Sequence, residues 1–130
     1  MRDIGNKDDI ELLVDAFYNK VRKDDTIGHI FQQIIGDDWS HHLPVMYSFW
    51  NTVLFGEAGY YGNPIRTHIA LDKQIRLEEQ HYNRWLELWT ATVDNMYKGE
   101  IADRAKERAK AMLQLISMKV ELAREGKSIL

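Results

Sequence analysis

Asn63-Pro64-Ile65-Arg66-Thr67-His68-Ile69-Ala70-Leu71 stands at mid-chain, after a glycine-rich loop (Gly56, Gly59, Gly62) and before a long amphipathic segment. Asparagine caps helices well, and proline is tolerated at the first helical position, where its missing N–H would be unpaired anyway. The stretch therefore predicts a short helix opening at Pro64, with Asp72-Lys73-Gln74 as the loop that ends it. His68 falls about one turn into that helix. One imidazole on a brief helix between larger elements suits a task that needs a ring nitrogen at a fixed place. Taken alone, it reads more readily as a surface or capping histidine.

The pattern on both sides is helical. Upstream, Ile10, Leu13, Phe17 and Val21 recur at helical spacing, with Val14 beside them and Tyr18 at the edge of the stripe. Asp8 or Asp9 is the expected cap of this first helix, which ends in Arg22-Lys23-Asp24-Asp25. Asp25 or Thr26 then opens a short second helix, Ile27 to Ile35, closed by Gly36. Trp39, His42, Met46, Phe49 or Trp50, and Val53 follow in steps of three and four, which puts His42 on an otherwise apolar face. Pro44 requires this helix either to begin near His41 or to kink.

Downstream, Tyr82, Trp85, Leu86, Trp89, Val93 and Met96 form the inner face of a helix expected from Leu77 to Tyr97. Ile101, Ala105, Ala109, Met112, Leu113, Ile116 and Val120 do the same for a last helix from Ile101 to Arg124. Lys127 to Leu130 are expected to fray. No stretch alternates with period two, and no hairpin dipeptide separates apolar runs. The expectation is an all-α fold in one domain, residues 1–130.

Composition narrows the function. With 17 basic and 20 acidic residues interspersed and a net charge of −3, the chain offers no basic stripe to phosphates, so nucleic acid is not an expected partner. The lack of cysteine excludes disulfides, thiolate catalysis and cysteine-based zinc sites. No apolar run is long enough for a membrane span, and Met1 to Asp9 carry no signal-peptide block, so a cytoplasmic protein is expected. Four Trp, six Tyr and five Met can fill a core or line a pocket for a flat apolar cofactor.

Among the five histidines (His29, His41, His42, His68, His81) no pair has zinc-protease spacing, and no Glu-x-x-His repeats as in di-iron bundles. No phosphate loop or nucleophile elbow occurs. What remains is a pocket set: His42 and His68 on different helices, with Tyr18 and Trp85 adding an O–H and an N–H from two more. Each aromatic alone also reads as core with a satisfied polar tip.

Several segments carry a resemblance when taken in order. They are Ala16-Phe17-Tyr18-Asn19-Lys20-Val21-Arg22-Lys23-Asp24, Ile27-Gly28-His29-Ile30-Phe31, and Trp39-x-x-His42 running on to Phe49-Trp50. Tyr60-Tyr61-Gly62-Asn63-Pro64 with His68 and Arg84-Trp85-Leu86-x-Leu88-Trp89 complete the series. With these the chain resembles a truncated haemoglobin of the third group over nearly its whole length. It lacks the Gly-Gly pairs of the first two groups, whereas Pro44 and the doubled His41-His42 are less typical.

The resemblance implies a shortened globin, a two-over-two helical sandwich around haem b. It implies His68 as the iron ligand and Tyr18, His42 and Trp85 as polar residues around a bound diatomic gas. Either His41 or His42 could turn inward, and the apolar stripe favours His42. Arg66, Arg76, Tyr60 and Tyr61 are candidates at the propionate rim. The expected ligands are O2, NO and CO, on a monomer or weak oligomer that serves oxygen or redox chemistry. Two alternatives stand beside this. One is NO dioxygenation or peroxide turnover at the same haem, with an unidentified reductase. The other is a haem-free helical interaction or sensor domain.

Overall fold

The computed structural model describes residues 1–126, so the expected fraying of Lys127 to Leu130 lies outside the described residues. Six helices and no strand occur among them: α1 (Lys7–Arg22), α2 (Gly28–Ile34), α3 (His42–Phe55), α4 (Pro64–Gln74), α5 (Glu79–Met96) and α6 (Glu100–Arg124). Two pairs, α1 with α3 and α5 with α6, are laid over each other through α1–α5 and α3–α6 contacts. This is the two-over-two sandwich. Short α2 leans on α1, and α4 leans on α6.

The centre of the sandwich is aromatic. Phe17 is fully buried on α1, and its ring meets Tyr18, Trp85 and Trp89 edge-on at 4.8, 4.9 and 5.0 Å. Trp89 stacks on Trp50 of α3 at 4.4 Å and donates its indole N–H to the Ala105 carbonyl of α6. Ala102, Ala105 and Ala109 are buried, and their small side chains let α6 approach closely. The indole is thus buried with its donor satisfied, as a polar atom in a dry core requires.

Several helix ends differ from the sequence expectation, α5 among them, which opens at Glu79 rather than Leu77. α1 begins earlier, because Asn6 rather than Asp8 or Asp9 is the cap, its Oδ1 accepting from the Asp9 N–H at 3.0 Å. Asp9 is instead buried, taking both Arg2 guanidinium nitrogens and the Gly5 N–H. Neither Asp25 nor Thr26 caps α2; the Asp24 carboxylate, reaching forward to the Thr26 and Ile27 N–H groups, orders that turn. Asp72-Lys73-Gln74 is the last turn of α4 rather than a loop, for Asp72 is held there by partners distant in sequence.

Pro44 causes no kink. It is the third residue of α3, and the carbonyl it would crowd belongs to Ser40, ahead of the helix. His81, one of the five histidines, accepts the Glu78 N–H at the start of α5 through Nδ1, a capping role.

Candidate functional site

His68 stands one turn into α4, and its ring is fixed from one turn back. Its Nδ1 lies 2.6 Å from the Pro64 carbonyl oxygen. A carbonyl can only accept, so Nδ1 carries the hydrogen and Nε2 holds the lone pair. Burial lowers the His68 pKa, partly opposed by the Pro64 hydrogen bond, so the ring is neutral at pH 7. A neutral imidazole with its Nδ1–H on a backbone carbonyl is the arrangement expected of a metal-ligating histidine.

A second cluster forms where α1, α3 and α5 meet. Tyr18 is buried, with its ring 5.2 Å from Trp39, 5.8 Å from Phe31 and 5.9 Å from His42. Trp85 sets its indole N–H toward the Tyr18 hydroxyl closely enough to oppose the effect of burial on the phenol pKa. Burial drives the phenol pKa far up, so Tyr18 keeps its proton. Burial also lowers the pKa of His42, a half-buried ring set edge-on to Trp39 at 5.5 Å. His41 is exposed at the N-cap of α3.

The structure thus brings Tyr18, Trp85 and His42 together and sets His68 apart on α4. The four rim candidates do not form one group. Tyr60 is half-buried and meets Phe49 of α3 edge-on at 5.1 Å, whereas Tyr61 is 91% exposed. Arg66 is exposed, and Arg76 lines a separate cavity of about 520 Å³ between α5, α6 and the turn before α5. That cavity contains none of His68, His42, Tyr18 or Trp85. A smaller space of about 290 Å³ lies on the outer side of Tyr18, walled by Asp15, Arg22, Trp39, Leu43 and Tyr47.

Two participants escaped the sequence reading. Trp39 packs on both Tyr18 and His42, donates to the Gly36 carbonyl and lies under the Arg22 guanidinium at 4.3 Å. Its position three residues before His42 was the available signal. Phe31 stacks on Trp39 from α2, which only the tertiary fold shows.

The family model for bacterial-like globins matches residues 2–121. The chain belongs to that family. This globin is 32% identical over 107 residues to the group 3 truncated hemoglobin ctb of Campylobacter jejuni, covering 80% of the chain and 82% of that relative. It superposes on the crystal structure of group III truncated hemoglobin from Campylobacter jejuni with a TM-score of 0.84 at 28% identity, covering 92% of this chain and 95% of that one. The third-group resemblance read from the sequence is met by both.

Globins bind haem and, through it, diatomic gases. The residues of this globin fit such a group. α3 is largely apolar, yet only Trp50, Asn51 and Leu54 are buried in it, leaving Leu43, Met46, Phe49 and Val53 half-covered. α4 has no buried residue, although it carries Ile65, Ile69 and Leu71. Two helices with incompletely covered apolar faces, one bearing a neutral histidine with a free Nε2, suit a flat apolar cofactor with a metal at its centre.

Proposed function

We propose that this globin would hold haem b through His68 Nε2 and bind O2 reversibly, with NO and CO as further ligands, next to Tyr18, Trp85 and His42. The observation that carries the reading is the 2.6 Å contact from His68 Nδ1 to the Pro64 carbonyl, which fixes tautomer and ring direction together. Bound haem would supply an iron that takes up a small gas. The protein residues do the rest.

Tyr18 is the principal donor. With the Trp85 N–H turned toward its oxygen, the phenol keeps its own proton to give to a ligand. The raised pKa keeps that proton in place at neutral pH. A donor in a site shielded from water stabilises partial negative charge far better than one in water. Trp85 N–H, committed to Tyr18, positions this donor and is a second donor in reserve. His42, neutral and half-buried beside Trp39, stands where the cluster meets solvent and controls entry. Tyr60, with a pKa raised by burial, is a neutral hydroxyl for a propionate at the α3–α4 corner, and the exposed Arg66 is a cation for the same purpose.

Mixing haem-free protein with haem b tests the proposal. One equivalent should produce an intense Soret band that shifts on reduction and again on adding O2 or CO. A titration without saturation at one haem per chain refutes it.

A further inference from the structure

α4 carries the candidate iron ligand. None of its residues is buried, and the element it packs against is α6. Its last turn is nevertheless tied down. Arg124, the last residue of α6, donates from Nε to Asp72 Oδ2 at 2.8 Å and from Nη2 to Asp72 Oδ1 at 2.5 Å. The same Nη2 donates to the Leu77 carbonyl at 2.5 Å, and Leu77 N–H returns to Asp72 Oδ1 at 2.8 Å. Four bonds therefore join the end of α4, the turn before α5 and the end of α6.

An ordinary surface ion pair contributes little because solvent screens it and both side chains lose freedom. Arg124 reaches solvent, and what sets this pair apart is its geometry. Here the pair is bidentate, and the two side chains are 9% and 24% exposed. Arg124 holds the Asp72 carboxyl below its ordinary range, against the opposing effect of burial. The pair is also directional, since a guanidinium fork matches a carboxylate in one plane.

Pro64, His68 and Asp72 follow at four-residue steps and so lie along one face of α4. The Pro64 carbonyl sets the rotation of the imidazole about its own bonds. It cannot set the rotation of α4 about the helix axis. A turn of about 20° about that axis carries a side-chain tip, roughly 5–6 Å out, through about 2 Å. Such a shift would misdirect Nε2 altogether. We propose that the Arg124–Asp72–Leu77 clamp is the positioning device that fixes the rotation of α4 and thereby aims His68 Nε2 at the haem iron, an inference that rests on His68 as the axial ligand.

The test uses haem-loaded wild type, Arg124→Gln, Asp72→Asn and the conservative Arg124→Lys. Two properties are measured: the iron–histidine stretching band of the ferrous, gas-free protein by resonance Raman, and the rate of haem transfer to excess apo-globin acceptor. Arg124→Gln and Asp72→Asn should shift or split the band and speed haem transfer about tenfold, the effect of losing one charge-assisted bond. Arg124→Lys keeps the charge without the fork and should fall between them and wild type. It also carries the test if Arg124→Gln does not fold. An unmoved band with transfer within about twofold of wild type overturns the clamp. So does a lowered melting temperature of the haem-free variants with an unmoved band, which marks a merely structural pair. If wild type itself has no iron–histidine band, the clamp falls together with the His68 reading. Failure of the clamp alone leaves the wild-type band present and the variants unable to shift it.

Discussion

Replacing Tyr18 by Phe removes one oxygen and leaves the ring contacts to Phe17, Phe31, Trp39 and His42 in place, at 4.8 to 5.9 Å. The fold should therefore hold while the proposed donor is lost. A hydrogen bond to a charged acceptor contributes about 1.5–3 kcal/mol. Since about 1.4 kcal/mol is a factor of ten, O2 dissociation should accelerate by about one to two orders of magnitude. CO carries much less charge, so its dissociation should change far less. Stopped-flow displacement gives both rates on the same preparation. The structure adds a complication that the assay must meet. In Tyr18→Phe the Trp85 N–H loses its acceptor and can turn toward the ligand. The Tyr18→Phe/Trp85→Phe double variant closes that route, and its rate need not equal the product of the single effects. If both the single and double variants leave O2 release within about twofold of wild type, or move CO as much as O2, the polar-pocket account is refuted.

Other perturbations test the scaffold. Phe17→Ala opens a hole under Tyr18, Trp85 and Trp89 and should cost about 3–5 kcal/mol in denaturant unfolding, where a loss under about 1 kcal/mol would show that the ring is not a keystone. Gly28→Ala should destabilise by about 1–3 kcal/mol, since a Cβ there meets the Arg22 and Val21 carbonyl oxygens at 3.0 and 3.1 Å and backbone cannot yield. Asp9 has its pKa lowered to about 2, chiefly by the Arg2 hydrogen bonds and against burial. A carboxylate with a folded-state pKa below its unfolded value stabilises at higher pH, and the contribution is lost as pH falls toward the folded pKa. Asp9→Asn should therefore be less stable than wild type at pH 7, and the gap in melting temperature should close as the pH approaches about 2. A gap that stays constant with pH would contradict this.

Helical spacing made the helices legible, because a stripe such as Ile10, Leu13, Phe17 and Val21 is a local signal of a buried face. Pro64 and Asn63 announced the start of α4 for the same reason: cap chemistry acts within one turn. The end of α4 was not legible, since Asp72 stays helical through Arg124, a partner far along the chain. The cap of α1 was misassigned because Asn6, Asp8 and Asp9 all suit that role, and only the pull of Arg2 and Gly5 on Asp9 decides among them. His42 over His41 followed from the apolar stripe. The direction of the Trp85 N–H did not, for it depends on how α1 and α5 meet. The packing of Trp39 on Tyr18 depends likewise on how the helices meet, although its place on the stripe with His42 is a local signal.

The most direct test is to remove the His68 ring and give it back. His68→Gly should lose the haem b that wild type retains through gel filtration, and millimolar imidazole, entering the vacated space, should restore binding and the wild-type ferrous spectrum. If His68→Gly without imidazole keeps its haem and an unchanged ferrous spectrum, His68 is not the ligand and the account fails at its centre.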